Sequence, residues 1–372
     1  APQLDRWQIN FTEVPDLAIA PNVNFNLNKE LFQQGENIEF SLAITNNSMA
    51  TIKDSIEVLI KVSNENGNIL ESEFRKISPL SADTQIIINQ QFSTFGLLGK
   101  NTISIEINPS RRFEEKYYFN NIGQFDFTVS ADRINPLLDV TFDGRRIVNR
   151  EIISAEPTVV ISLEDNNEFL AIDDTSSFRM YLTQPNGNET ELRYGIHPEY
   201  ELSFIPANLP ENTARAIYKP ILKQDGIYRL RVQGTDKSGN ASGNKDYQVD
   251  FEVVNLSSVT HLLNYPNPFS TSTQFVFTLT GSEVPDRILI QIMTITGKVV
   301  REINQDELGS IHIGNNITDF KWDGKDEYGD QLANGIYLYR VKMKLNGKSI
   351  ERKDSKIDKY FKRDFGKMYL LR

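Results

Sequence analysis

"DSIEVLIKVSNENGNIL", residues 54–70, alternates Ile56, Val58, Ile60 and Val62 with other side chains and then breaks at Asn66-Gly67. A period of two puts those four residues on one face of a strand, and Asn-Gly is the dipeptide that tight hairpins favour. The stretch predicts a half-buried strand entering a turn. "ENIEFSLAITNNS" (36–48) repeats the pattern with Ile38, Phe40, Leu42 and Ile44 before Asn46-Asn47-Ser48. "QIIINQQF" (85–92), "NTISIEI" (101–107) and "GQFDFTV" (123–129) add strands at the spacing of a β-sandwich, ending near residue 130.

A second set runs from "PLLDVTFDGRRIV" (136–148) through "PTVVISLED", "SFRMYLTQPNG" and "RAIYKPI" to "DGIYRLRVQGTDKSGN" and "YQVDFEVV" (247–254). A third comprises "TQFVFTLT" (273–280), "RILIQIMTI" (287–295), a return arm "TGKVVREI" turning at Gly297, and "NGIYLYRVKMK" (334–344). The only segment at helical spacing is "DSKIDKYFKRDF" (354–365), through Ile357, Tyr360, Phe361 and Phe365. The expected fold is all-β, with three tandem Ig-like β-sandwich domains at 1–130, 131–255 and 256–372.

Composition agrees. At 372 residues the chain is too long for one core, and it contains no apolar run long enough to cross a bilayer as a helix. With no signal peptide ahead of "APQLDRWQ", a mature, truncated or excised chain is expected. There is no cysteine, which excludes thiol nucleophiles, disulfides and Cys-based zinc sites. The three histidines, His197, His261 and His312, have no metal-ligand spacing, and no Ser-His-Asp set can be assembled from them. The net charge of −10 is uneven: twelve Lys and Arg against four Asp and Glu between Arg340 and Arg372 give +8, leaving −18 for the rest.

Three segments carry candidate chemistry. "HLLNYPNPFSTSTQF" (261–275) contains Asn264, Tyr265, Pro266, Asn267, Pro268 and Phe269. Two prolines remove two backbone donors and push the preceding residues to extended conformations, so the segment reads as a stiff linker with Tyr265 and Phe269 as apolar pegs. The residues alone leave open whether it is a rigid domain entry or a recognition element. "WDGKDEYGDQLANG" (322–335) places Asp323, Asp326 and Asp330 off the spacing of a calcium loop, so turn formation is the preferred reading, with Trp322 in the core. "SLEDNNEFLAIDDTSSF" (162–178) clusters acids. A solvated loop is preferred there, with calcium on Asp165, Asp173 and Asp174 the alternative and a glycosidase dyad disfavoured.

"PDLAI" (15–19), "GENIEF" with Gly35, "ITNNS", "GKNTISIEINP" and "EEKYYFNN" with Asn120-Asn121 resemble the CARDB Ig-like family, whose members act as spacers or adhesive modules. The second domain resembles a generic bacterial Ig-like module. "NYPNPF", "ITGKVV", "FKWDGKDEYGDQLANGIYLYRV" and "KMYLLR", in that order, resemble the C-terminal sorting domain of the type IX secretion system of Bacteroidota. Residues matching that pattern are the six of "NYPNPF" together with Gly297, Lys298, Trp322, Asp323, Gly324, Asn334, Gly335, Tyr337 and Lys367. The three domains in series are similar to the region downstream of the catalytic domain in gingipain-like, PorU-like peptidases.

The resemblance implies a non-catalytic region, because the family's Cys and His lie upstream and this chain has no cysteine. It implies recognition by the type IX translocon and docking on an outer-membrane β-barrel of the PorV type. The implied location is the cell surface, outer-membrane associated, after export through the periplasm, with no cofactor. The basic tail would meet lipopolysaccharide or an acidic protein surface in that setting rather than nucleic acid. "KLNGKSIERKDSKIDKYFKRDFG" (344–366) is longer than the usual loop before the last strand, which suggests a component retained at the surface rather than cleaved cargo. The alternative reading is an adhesin or carbohydrate-binding module of a secreted hydrolase.

Overall fold

The computed structural model describes residue 8, residues 13–350 and residues 365–372. The helical spacing in 354–365 falls almost wholly outside the described residues, as do most charges of the basic tail. The chain is all-β and Ig-like, and α1 (Gln305–Leu308) is the single α-helix among the described residues. Apolar side chains gather in three separate cores, each between two sheets. By contacts the chain forms two compact units: residues 1–134 with 166–171 and 209–212, and residues 135–165, 172–208 and 213–372.

In the first unit the strands are β1 (Leu17–Ile19), β2 (Phe25–Leu27), β3 (Leu31–Gln33), β4 (Asn37–Asn46), β5 (Ile56–Asn64), β6 (Ile69–Ile77), β7 (Gln85–Ser93), β8 (Gly99–Ile107) and β9 (Ile122–Ser130). One sheet runs β1-β4-β2, with β7 also on β4, and the other runs β3-β9-β8-β5-β6. The alternation read from the sequence decides which residues are inside: Ile38, Phe40, Leu42 and Ile44 of β4 face Ile56, Val58, Ile60 and Val62 of β5 across the core. Gly35 stands at φ +89°, and a β-carbon there would lie 2.3 Å from Leu170 Cγ, so the glycine is required on two counts. Buried Glu115 ties the chain crossings together, accepting from Asn108 Nδ2, Asn121 Nδ2 and the Leu17 N–H. Burial is the main reason its carboxyl titrates above the ordinary range.

The second unit contains two sandwiches. The first has β10 (Leu137–Phe142), β11 (Glu151–Ile153), β12 (Val159–Glu164), β13 (Phe178–Thr183), β14 (Glu189–Glu191), β15 (Gly195–Ile196), β16 (Tyr200–Ile205), β17 (Thr213–Pro220), β18 (Gly226–Gly234) and β19 (Tyr247–Val253), in sheets β10-β12-β17-β16-β15 and β11-β19-β18-β13-β14. The other has β20 (Ser258–Tyr265), β21 (Gln274–Thr280), β22 (Arg287–Thr294), β23 (Val299–Asn304), β24 (Gly314–Ile317), β25 (Gly335–Leu345), β26 (Lys348–Ser349) and β27 (Gly366–Leu370). Its sheets are β20-β21-β24 and β23-β22-β25, with β26 and β27 both on β25.

These two sandwiches fall in one unit because their junction is bonded. Ser154 Oγ donates to Ser282 O at 2.8 Å, and Arg145 bridges Glu151 at 2.5 Å while its Nη2 donates to Ile313 O at 3.3 Å. His312 lies beside that pair. Burial first, then the Arg145 guanidinium, lowers the imidazole pKa below its ordinary value, with Glu151 acting in the opposite sense. The fold therefore favours the neutral ring, so its stability contribution is present above the unfolded-state pKa and is lost as pH falls through the folded one. Thermal unfolding of this unit should shift to lower temperature between about pH 7 and pH 5. His312→Gln should flatten that dependence, and an unchanged slope in the variant would reject the assignment.

Candidate functional site

The "NYPNPF" segment is not the linker that its prolines suggest. β20 begins at Ser258, ahead of the motif, so Pro266 to Phe269 lie inside the third sandwich in the connection between β20 and β21. There they meet the opposite end of the domain. β27 pairs on one side with β25, from Gly335↔Leu370 to Tyr339↔Gly366. On its other side Asn267 Nδ2 donates to Lys367 O at 2.9 Å and Asn267 Oδ1 accepts from Tyr369 N at 3.0 Å. The Phe269 N–H then donates to Tyr369 O, and the Leu371 N–H donates to Phe269 O at 2.9 Å.

The prolines explain the form of this clasp. Pro268 has no N–H to offer a neighbouring strand, so the side-chain amide of Asn267, chemically a peptide group, takes the place of a main-chain partner. Four successive edge groups of the last strand are satisfied in this way. An edge that would otherwise template aggregation is closed.

Beneath the clasp the aromatic residues pack in sequence, tilted or edge to face. Phe269 lies 5.5 Å from Trp322 between ring centroids, and Trp322 lies 5.8 Å from Tyr337. Phe269, Trp322, Met368 and Leu370 are buried, whereas Tyr265 is 67% exposed, so only one of the two expected pegs seats in the core. Trp322 Nε1 donates to Lys325 O, and Trp322 exchanges main-chain hydrogen bonds of 2.9 Å with Thr273. Thr273 Oγ1 in turn accepts from buried Asn264 and donates to Pro266 O, which fixes the turn.

The chain end is held as well. Asn334 donates to Arg372 O at 3.1 Å and accepts from Arg372 N at 3.0 Å, a second side-chain amide standing in for a strand. The Arg372 guanidinium donates to Asp323 O and Leu332 O. Gly324, at φ +75°, makes room for it, since a β-carbon would lie 2.8 Å from Arg372 Nη2.

Motifs spread between Asn264 and Lys367 thus converge on the last strand: Asn264 to Phe269, Trp322 to Gly324, Asn334 to Tyr337, and Lys367 itself. Gly297 and Lys298 do not join them. They form the β22–β23 turn, where Gly297 takes φ +89° and the Lys298 carbonyl accepts from Thr294 N. Sequence reading missed Thr273, Arg372 and Gly366, whose β-carbon would strike the Tyr339 ring at 2.2 Å. A signal for Tyr337 was present. "GIY" occurs at 226–228 and 335–337, and in both places the tyrosine hydroxyl donates to the carbonyl four residues upstream, Gln224 or Ala333. This is the tyrosine corner of Ig-like sandwiches, so Gly335 and Tyr337 serve the fold of the third sandwich as Gly226 and Tyr228 serve that of the second.

The acidic loop divides. Asp173 pairs with Lys237 at 2.7 Å, and Asp174 accepts from Ser176 N at the start of a 3-10 turn. That N–H is the first cause holding the Asp174 carboxyl below the usual carboxylate range. Buried Asp165 lies instead beside Asp236, their carboxylate oxygens within 4.8 Å. Asp326 accepts from Tyr328 N and Asp330 N, which is turn chemistry. His197 stacks on Tyr200.

No family model matches the chain, and no curated protein is similar to it. Among solved structures, a CARDB domain from Pyrococcus furiosus in complex with di-metal ions is 16% identical over 32% of this chain and 97% of that one, with a TM-score of 0.26. Dimeric latent PorU from Porphyromonas gingivalis is 13% identical over 96% of this chain but 34% of its own, with a TM-score of 0.25. The D1–D4 fragment of ICAM-5 is 11% identical over 95% and 76%, with a TM-score of 0.23. The chain spans about a third of PorU. Function is therefore to be read from this chain's own residues.

Two neutral hydrogen bonds of about 1 kcal/mol each make Asn267→Ala cost ~2 kcal/mol in urea unfolding of the third sandwich. Trp322→Ala should cost ~4 kcal/mol, while Tyr265→Ala should stay within about 0.5 kcal/mol. Equal effects of the three would contradict this ranking.

Proposed function

We propose that this chain is the non-catalytic C-terminal region of a gingipain-like, PorU-like surface protein, in which residues 256–372 direct type IX secretion and dock on an outer-membrane barrel of the PorV type. The supporting observation is that three of the four motifs that resemble those of sorting domains gather around one element, the last strand, with the Gly297-Lys298 hairpin the exception. A targeting signal has to be presented in a fixed shape, and a strand bonded along both edges presents Lys367 and Tyr369 outward in fixed register while Met368 and Leu370 anchor it. The two preceding sandwiches then set the distance and orientation of whatever lies upstream. The absence of cysteine fits a region that carries no thiol nucleophile of its own. In this reading the basic side chains between Arg340 and Arg372 face lipopolysaccharide or an acidic protein surface.

The experiment is a reporter fusion in a Bacteroidota host with an intact type IX system. Residues 256–372 should carry the reporter to the cell surface, scored by protease accessibility, and loss of residues 366–372 should leave it in the periplasm. A reporter that reaches the surface without that last strand would refute the proposal.

A further inference from the structure

The outer face of the sheet formed by β2, β4 and β7 carries almost no charge. Period-two alternation turns Phe40, Leu42 and Ile88 inward, and the opposite positions form polar rungs across the three strands. Asn26 pairs in register with Ser41, and Ser41 with Asn89. In the next rung Asn28 donates its N–H to Glu39 O, and Glu39 pairs with Gln91. Together these six residues line a recess of about 500 Å³ in the sheet face. Beyond it follow Asn37 opposite Ser93 and, at the other end, Thr45 opposite Gln85.

This is an unusual surface for a chain with 24% charged residues. The second sheet of the same sandwich carries Glu57, Lys61, Glu106 and Asp126 on its strands, and the β18–β19 face is laced with Arg229–Asp250 and Arg231–Glu189 pairs. Solubility alone is ordinarily met by such mixed charge. Asparagine is moreover depleted in strands, because its amide competes with the ladder, yet "NVNFNLN" (22–28) repeats it at every second position. Among the described residues, the side-chain amides of Asn26, Asn89 and Gln91 make no hydrogen bond to another protein group. They leave a row of paired donors and acceptors facing outward.

We propose that this face binds a neutral glycan chain. Each primary amide offers two donors and an acceptor, the complement of adjacent sugar hydroxyls, and spacings of roughly 4.8 Å between strands repeat that pattern over several groups. The single carboxylate, Glu39, disfavours anionic ligands. A protein partner is disfavoured because interface centres are built on exposed aromatic and apolar anchors, and the aromatic residue of the recess, Phe40, is buried. Exposed Ile87, one rung along, supplies an apolar contact for the C–H face of a sugar.

Affinity electrophoresis of the whole chain through gels containing dextran, mannan, xyloglucan or mixed-linkage β-glucan tests this, with heparin and polygalacturonate as charged comparisons. At least one neutral polysaccharide should retard the protein. The double variant Asn26→Ala/Asn89→Ala should weaken that binding roughly tenfold, the effect of losing one or two hydrogen bonds. Because both amides lie outside the protein's own bonding, the variant's thermal midpoint should match wild type, and Gln91→Ala offers a second, single-site test. Thr102→Ala on the opposite sheet should change nothing. Failure of every neutral polysaccharide to retard the chain, retardation by the polyanions alone, or full binding by the folded double variant would each overturn the proposal.

Discussion

The third sandwich depends on closure of one strand edge. β27 pairs in its sheet with β25 alone, and a short strand bonded on one side only would fray, since few contacts oppose the entropy of releasing it. Asn267 and Phe269 supply the second edge, and Met368 and Leu370 then remain buried in the core that Trp322 and Tyr337 complete. The partners are 100 and 102 residues apart along the chain. Such a contact forms only once almost the whole domain is present, so the sandwich is completed by its final residues.

The same economy of neutral groups appears elsewhere. Side-chain amides stand in for backbone at Asn267 and Asn334, and at Asn108 and Asn121 they satisfy a buried carboxylate. On the β2-β4-β7 face Asn28 does the same for the Glu39 N–H and the Asn37 carbonyl, whereas the amides of Asn26, Asn89 and Gln91 bond no other group among the described residues, which is why that surface stands apart from the others. The bonded junction of the second and third sandwiches is the charged counterpart, where Arg145 spans both domains and the neutral state of His312 is part of the packing.

The all-β fold was legible because alternation is a local property. Ile56 to Val62 and Ile38 to Ile44 specify strand and buried face within a few residues, and the Gly297 hairpin is written in its own turn. The "NYPNPF" segment was misread as a linker for the complementary reason. Its prolines announce that it avoids ordinary strand pairing, but its partner, the main chain of Lys367 to Leu371, lies at the other end of the domain, and single-sequence spacing does not encode that pairing. Trp322 was placed in the core correctly, since a large apolar residue next to a turn has few other places to go. The roles of Gly366 and Gly324 depend on collisions with Tyr339 and Arg372 that no local pattern announces. The division of Asp165 from Asp173 and Asp174 is likewise tertiary, set by Asp236 and Lys237 from another turn.

The most direct test is native-state hydrogen exchange at the amides of Tyr369 and Leu371, the two N–H groups of the last strand that point at the clasp. In the wild-type chain both should exchange only through unfolding of the whole sandwich, at the rate of the Ile290 and Ile292 amides in the centre of its sheet, and Asn267→Ala should release Tyr369 selectively. Rapid exchange of both amides in the wild type, with the central strands still protected, would show a frayed terminal strand and contradict the account.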